Sequence, residues 1–381
     1  MTPFFSRIQS LLLFNRLAIV TISSIYLVIF AGIFVRVTES GMGCPDWPKC
    51  YGSIVPPTSI EQLTWFPEKE YSKGQMIIKK TEGLTFLYKA KYSFTSSLHW
   101  NNLNWHEISD SEHDYAEFSP FKTWVEYLNR CLGALSGVFI IMLVLISFFY
   151  KTIPRYLFGL SFLLIILSLV QYWLGRNVVY SVLESQKITI HFFVALIFIP
   201  VLLFLVYKSH FLFKKKSLSY PSSVKKSIIQ ESFIVENKLK INLKKYFFVF
   251  LFFALILSII QMFFGTQVRG EVDNNIFSAL NSFELAFHRF LVPFILLLNI
   301  VLIFGLRFLK NNIHHQKVLV EKIGLIVILI LLLLTGSYMY LFEIPQSIKP
   351  KWTTLIHAYS SVVLFSIYIS LLLKKIIYKP I

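Results

Sequence analysis

The sequence predicts an all-α integral membrane protein, with eight transmembrane helices forming two tandem four-helix bundles related by a parallel internal duplication. Of the 381 residues, 55% are hydrophobic and 15% are charged, whereas soluble domains average about 25% charged residues. Apolar runs reach the roughly 20 residues that a helix needs to cross a bilayer. Polar features also return in the same order in both halves of the chain.

Eight apolar stretches are predicted to span the membrane. The first follows Arg16 and lacks a small-residue cleavage site, so we expect it to stay in the bilayer. The sixth is the least apolar at its start, where Glu284, His288 and Arg289 interrupt it. The predicted spans are 17–37, 125–149, 156–178, 187–207, 246–267, 281–306, 319–342 and 353–373.

Basic residues predict the orientation. The formal net charge is +17, but the lysines and arginines stand in short segments between spans, which is typical of cytoplasmic loops rather than of nucleic-acid binding. Both termini are therefore predicted to be cytoplasmic, as an even number of spans requires. The first residues lack an Arg- and Ser-rich transit pattern, which favours a bacterial cytoplasmic (inner) membrane.

These patterns divide the chain into five segments. The N-terminal half contains an external loop, 38–122, that is rich in tryptophan and long enough to predict a folded cap, helical or extended. The segment between the halves is predicted to be a solvated basic linker. The segments are a cytoplasmic N-terminus 1–16, the N-terminal half 17–207, the linker 208–245, the C-terminal half 246–373 and a cytoplasmic tail 374–381.

A cysteine pair stands at the start of the external loop. Five residues, two of them prolines, separate Cys44 from Cys50, so the chain can bend back on a side of the membrane that is oxidising. A disulfide is predicted, structural or redox-active, and a free or metal-binding pair is the alternative. Cys131, at the start of the second span, is predicted to be a small packed hydrophobe.

Glu126, Asn129 and Arg130 form a polar cluster at the start of the second span. Their i, i+3, i+4 spacing puts them on one helix face. An ionisable group inside a bilayer costs on the order of 2.5–3.5 kcal/mol. We therefore expect a polar partner or a chemical task for this face.

Three of the nine histidines, His191, His288 and His357, lie within spans. A single membrane histidine can serve packing alone, but two at matching depth in one half can clamp a haem iron from both sides. The histidine pair could instead bind copper or zinc, but no third and fourth ligand stands nearby in the sequence. Arg130 and Arg289 suit haem propionates, or can reach towards lipid headgroups.

The duplication rests on three ordered correspondences. The first span ends in GIFVR at 32–36 and the fifth in GTQVR at 265–269. Since equivalent spans are four helices apart, both halves have the same orientation, related by an axis along the membrane normal. The other correspondences pair Glu126, Asn129 and Arg130 with Glu284, His288 and Arg289, and His191 with His357.

The string TESGMGCPDWPKC at 38–50, the motif from Glu126 to Arg130 and the three span histidines together resemble the haem A synthase family. The resemblance covers nearly the whole chain except most of the external loop and the linker. It implies oxidation of the C8 methyl group of haem O to a formyl group, which yields haem A for haem–copper cytochrome oxidases. It also implies the lipid bilayer, haem O synthase and an electron donor as partners.

The resemblance implies a role for each matched residue. His288 and His357 would ligate a resident haem b that relays electrons, with Arg289 beside it. His191 would lie over the substrate haem, near Asn129 and Arg130. Glu126 would be the carboxylate that the chemistry requires, and the external cysteines would form a disulfide.

Asn129 departs from the family motif, which is Glu-x-x-His-Arg. An amide is a poor iron ligand, so two accounts remain. Either His191 alone ligates the substrate haem and leaves the opposite face open, which suits oxygen chemistry, or this half only binds haem. The presence of Glu126 and Arg130 favours the first account.

Two other classes of protein are considered. A membrane haem b electron-transfer protein would use the His288 and His357 pair without oxidising haem O. A transporter would also suit parallel repeats with buried charges, but it predicts helices broken by Gly or Pro in mid-span, and these spans are largely unbroken.

Overall fold

The computed structural model describes residues 3–81, 84–108, 118–181, 183–218, 238–274, 279–306, 315–343 and 351–377. Within these residues, eight helices are long and apolar enough to cross a membrane, so the predicted spans are confirmed. The helices are α1 Pro3–Val37, α2 Pro120–Phe149, α3 Arg155–Tyr180, α4 Ser185–Leu218, α5 Lys238–Asn274, α6 Phe283–Gly305, α7 His315–Tyr338 and α8 Trp352–Ile377.

Several helices continue beyond the predicted spans. α4 extends to Leu218 and α5 begins at Lys238, so both ends of the predicted 208–245 linker are helical. α8 runs into the predicted tail, where the Lys374 ammonium forms an ion pair with the Glu321 carboxylate of α7. The middle of the linker and the last residues of the tail lie outside the described residues.

Each half is a ring of four helices. α1 contacts α2, α2 contacts α3, α3 contacts α4, and α4 returns to α1; α5 to α8 repeat this order. The halves meet where α4 packs on α8, α1 on α8, and α4 on α5. If each helix is replaced by its predicted equivalent in the other half, the same three contacts result. A parallel repeat related by a two-fold axis would give this pattern.

The cores and the outer faces of the bundles are both apolar. Phe14, Leu157 and Ile199 are fully buried in the first half, while Phe148 and Leu169 on outer faces are each 64% exposed. Broad exposed apolar surface is the mark of contact with lipid. Mean hydropathy and helix length therefore agree with a multi-pass membrane protein.

The loop between α1 and α2, which is predicted to be external, is folded as a cap of short β-strands with two 3-10 helices, Ile60–Leu63 and Asn102–Asn104. It is the exception to the otherwise helical fold. β2, β3 and β5 form one antiparallel sheet, and β1 pairs with β4. Its strands are β1 Glu70–Tyr71, β2 Met76–Thr81, β3 Leu84–Ala90, β4 Phe94–Thr95 and β5 Trp105–Glu107.

Two small apolar clusters hold the cap together. One surrounds Cys44 and Cys50 and includes Met76 and Leu87. The other is aromatic, with Trp100 stacked on Trp105 at 5.3 Å between ring centroids. The first cluster also receives Tyr127 of α2, so the cap packs directly on the start of the second helix.

Candidate functional site

Two histidines face each other in the second half. His288 stands on α6 and His357 on α8, with ring centroids 6.3 Å apart and ring planes inclined by 56°. Two nitrogen–metal bonds of about 2.0–2.1 Å each, plus the distance from Nε2 to each ring centre, account for such a separation. The pair fits bis-imidazole ligation of a haem iron.

The Nδ1 atom of each ring is held by a neighbouring helix. His288 Nδ1 lies 3.1 Å from the carbonyl oxygen of Gln261, which can only accept a hydrogen bond. His357 Nδ1 lies 3.0 Å from Thr335 Oγ1, whose hydroxyl already donates to the Leu331 carbonyl. Nδ1 therefore carries the proton in both rings, and each Nε2 keeps a lone pair for a metal.

A bare metal ion has fewer donors available. Within the described residues, no group of three or more His, Cys, Asp or Glu side chains could hold a metal ion. Zinc and copper usually need three or four protein ligands. The residues thus suit a haem, whose porphyrin supplies the other donors, better than zinc or copper.

A glycine on the preceding helix lies beside each histidine ring. A Cβ built on Gly265 would lie 3.3 Å from His288 Cε1, and one on Gly336 would lie 3.1 Å from His357 Cε1. One on Gly175 would lie 3.5 Å from the same atom of His191. Glycine allows this close approach of ring and backbone. The roles of Gly175 and Gly336 were missed, although each stands on the span before a histidine.

Two glutamines tie these helices together at the level of the histidines. Gln261 Nε2 donates to the His288 carbonyl oxygen at 3.0 Å, and Gln171 Nε2 donates to the His191 carbonyl oxygen at 3.0 Å. Each glutamine precedes its glycine by one helical turn. The sequence interpretation also missed them; the shared spacing of Gln and Gly on α3 and α5 was the available signal.

The first half brings a single span histidine to the equivalent place. His191 Nδ1 is buried and has no hydrogen-bond partner among the described residues, and neither has the side-chain oxygen of Asn129. In the predicted repeat, Asn129 corresponds to His288 of the second half. A Cβ on Gly32, the counterpart of Gly265, would meet no atom within 4 Å.

The polar partner of Glu126 is the loop from Cys44 to Cys50, the cysteine loop. Glu126 is 4% exposed, its Oε2 accepts a hydrogen bond from the Cys44 N–H at 2.8 Å, and its Oε1 forms an ion pair with Arg130. Arg130 Nη1 donates to the carbonyl oxygens of Asp46 at 2.8 Å and Lys49 at 2.9 Å. Together the two side chains hold the loop backbone on α2.

The predicted Cys44–Cys50 disulfide is present. The chain just before it packs closely on α2, because Thr123 Oγ1 donates to the Gly43 carbonyl oxygen at 2.9 Å. A Cβ on Gly43 would lie 2.5 Å from the Lys122 carbonyl. Only glycine fits this contact, so the loop has a defined seat on the helix.

The loop also reaches α3. The rings of Trp47 and Tyr172 meet edge to face with centroids 4.1 Å apart. Asp46 Oδ2 accepts the Gly52 N–H at 3.0 Å. Burial raises the pKa of Asp46, although the Gly52 N–H and the Arg130 charge act in the opposite direction. The loop therefore lies across one end of the first half.

The contacts of Glu126 and Arg130 with the cysteine loop form a clamp, and the described residues of the second half show no equivalent of it. Arg289 is exposed, and its guanidinium lies over the Tyr340 ring at 4.0 Å from the centroid, a cation–π contact. Glu284, the predicted counterpart of Glu126, stands four residues before His288, whereas Glu126 stands three residues before Asn129. The residue three positions before His288 is the buried Leu285. Cys131 is exposed on the outer face of α2, so its prediction as a packed residue was wrong: it faces away from the bundle core.

The fold and the site together define a multi-pass membrane protein with a half-buried pair of histidines on facing helices. Residues 15–89 and 97–369 match the family of cytochrome oxidase assembly proteins. Because this match covers most of the chain, the protein belongs to that family.

Two curated relatives carry the name haem A synthase. The protein from Shewanella oneidensis is 44% identical over 45 residues, which cover 12% of this chain and 14% of the relative. The protein from Orientia tsutsugamushi is 27% identical over 173 residues, which cover 45% of this chain and 39% of the relative. The matched stretches thus span less than half the length of these relatives. No solved structure matches the chain.

Proposed function

We propose that this protein is an oxidoreductase of the haem A synthase type. It would convert haem O to haem A by oxidising the C8 methyl group to a formyl group, for the assembly of a haem–copper cytochrome oxidase. The observation that carries the proposal is the opposed pair His288 and His357, with both Nδ1 atoms held and both Nε2 atoms free for iron. Family membership and the names of the relatives support it.

In this proposal the second half holds a resident haem b. His288 and His357 would be its axial ligands, and the haem would supply electron relay when bound. Arg289 directly follows His288 and is exposed at the end of the bundle, where its guanidinium is available to a propionate. Gly265, Gly336 and Gln261 would keep the two imidazoles in position.

The first half would receive haem O. His191 is its proposed iron ligand, and Asn129 and Arg130 would border it. Glu126 would be the carboxylate on which the conversion depends. Its contacts with the Cys44 N–H and Arg130 support a role in which it keeps the cysteine loop seated at the end of the substrate half.

The proposed setting is a bacterial cytoplasmic membrane with both termini in the cytoplasm. Haem O synthase would supply the substrate. Molecular oxygen would be the oxidant, and an electron donor would supply the electrons with which it is reduced during the oxidation. The basic segments and the even number of helices support this orientation.

The test is expression of the full chain with a source of haem O, followed by haem extraction and chromatography. Haem A is the expected product. Glu126→Ala should keep the low-spin haem of the second half and lose most of the product, because the clamp on the loop is broken. Glu284→Ala, at the start of the equivalent helix, is the matched control and should keep the product.

Persistent haem O in a protein loaded with haem would contradict the proposed reaction and favour an electron-transfer protein. Full activity of Glu126→Ala would contradict the role of that carboxylate alone.

A further inference from the structure

We infer that the first half holds its haem through His191 alone, and that a small ligand binds on the opposite face, in a pocket that haem binding would form beside Asn129. The inference rests on the proposed function, because it takes a haem in the first half as given. It adds that the two proposed haem sites differ. Two histidines would ligate the iron in the second half, whereas one histidine would ligate it in the first half and leave a position open.

The internal repeat provides the geometric basis. Three of the four equivalent positions carry a histidine whose ring lies 3.1–3.5 Å from the Cβ position of a glycine on the preceding helix. At the fourth position, the side chain is Asn129, and the Cβ position of Gly32 has no neighbour within 4 Å. Whereas the His288 ring lies close to Gly265, no side-chain atom lies within 4 Å of the Cβ position of Gly32.

The Asn129 side chain also has a polar atom without a partner. Asn129 Oδ1 is buried without a hydrogen-bond partner among the described residues, which normally costs about 1–3 kcal/mol. In the second half, Nδ1 of His288 is instead bound to the Gln261 carbonyl oxygen. The buried amide oxygen of Asn129 has no hydrogen-bond partner at the place where the second half has His288. This indicates that a bound ligand would supply the partner.

The chemistry of the side chain defines what that partner is. A carboxamide is a neutral donor and acceptor of hydrogen bonds and a weak iron ligand. It therefore suits a small neutral molecule, such as water or a diatomic gas, rather than an anion or a second imidazole. The polarity and access of such a pocket govern ligand binding at haem iron.

The test uses carbon monoxide as the probe on the purified, haem-loaded full chain after reduction. We expect the optical spectrum of one haem to change on addition of the gas, while the low-spin haem of the second half stays unchanged. Asn129→His should lower the affinity for carbon monoxide by about tenfold or more and add a second low-spin signal.

Two variants complete the test. His288→Asn places the same amide in the second half and should create carbon monoxide binding there. Asn129→Leu should retain binding but shift the C–O stretching frequency, because the amide no longer contacts the ligand. In the Asn129 variants, the unchanged low-spin spectrum of the second half reports that the chain is folded.

A protein that holds two haems and binds no carbon monoxide would overturn the inference. So would a protein that holds a single low-spin haem, or an Asn129→His variant with undiminished binding. None of these measurements requires haem A to form. Carbon monoxide binding without any haem A would therefore refute the proposed reaction and leave the open site standing.

Discussion

At the scale of single residues, the closest contacts in the candidate sites are between imidazole rings and glycines. Gly336 lies so near His357 that a Cβ would approach Cε1 to 3.1 Å. Thr335 Oγ1 forms a hydrogen bond with the Nδ1 atom of the same ring. An imidazole fixed in this way has little freedom to move aside. A larger side chain in place of Gly336 should therefore displace the His357 ring, the proposed iron ligand.

We expect Gly336→Val to displace the His357 ring and lower the haem content of the second half by roughly tenfold, since overpacking costs about 1–3 kcal/mol. The low-spin optical spectrum measures the haem content of the second half, and His357→Ala is the reference for complete loss of that haem. Gly159→Val is the matched control, because a Cβ there meets no atom within 4 Å. An unchanged spectrum in both Gly336→Val and His357→Ala would remove His357 as a ligand.

At the scale of elements, α2 combines two tasks. Its first turns hold the cysteine loop through Thr123, Glu126 and Arg130, and the same turns carry Asn129. The first turns of α6 contain Leu285 and Arg289, and in the part of the chain that the structure describes these side chains hold no such loop. The clamp is therefore a property of the first half, and it links the seat of the loop to the side chains at the candidate substrate site.

We expect Arg130→Lys to loosen the loop, because an ammonium cannot reproduce the fork of the guanidinium. Hydrogen bonds to charged groups contribute about 1.5–3 kcal/mol each. Reduction of the Cys44–Cys50 disulfide should therefore become about tenfold faster, measured by alkylation and mass spectrometry after timed exposure to a reductant.

Arg289→Lys is the matched control for this experiment, since Arg289 contacts Tyr340 in the other half. The role of the clamp is refuted if both variants are reduced at the rate of the original protein.

At the scale of the whole molecule, the two halves share one build and differ in their polar residues. Each is a ring of four helices, and the contacts between the halves involve α1, α4, α5 and α8. The cap belongs to the first half alone. The two halves thus share a helix arrangement and differ in a few polar side chains and in the long loop between α1 and α2.

The proposed orientation predicts which surfaces a membrane-impermeant maleimide reaches. In a Cys131→Ser background, His106→Cys in the cap should be labelled in intact spheroplasts. Lys151→Cys, in the exposed turn between α2 and α3, should be labelled only after lysis. Both sites are exposed, so accessibility depends on the side of the membrane; the reverse pattern would invert the topology.

The sequence by itself determined the eight spans, because hydropathy and length are local properties of each segment. It also predicted the pairing of Asn129 with His288 and of His191 with His357 from the order of polar residues in the two halves, and this pairing stays a prediction. The roles of these histidines as haem ligands remain predictions. The ends of α4 and α5 escaped prediction, because helices can continue into basic segments once they leave the apolar core.

Only the tertiary structure decided what each polar group contacts. The Glu126 carboxylate meets the Cys44 N–H across 82 residues of chain, and no local pattern specifies such a pairing. The same holds for the glycines beside the histidine rings, since the approach of two helices depends on packing of the whole bundle. Spacing could place Glu126 and Arg130 on one helix face, but only packing could show that this face carries the cysteine loop.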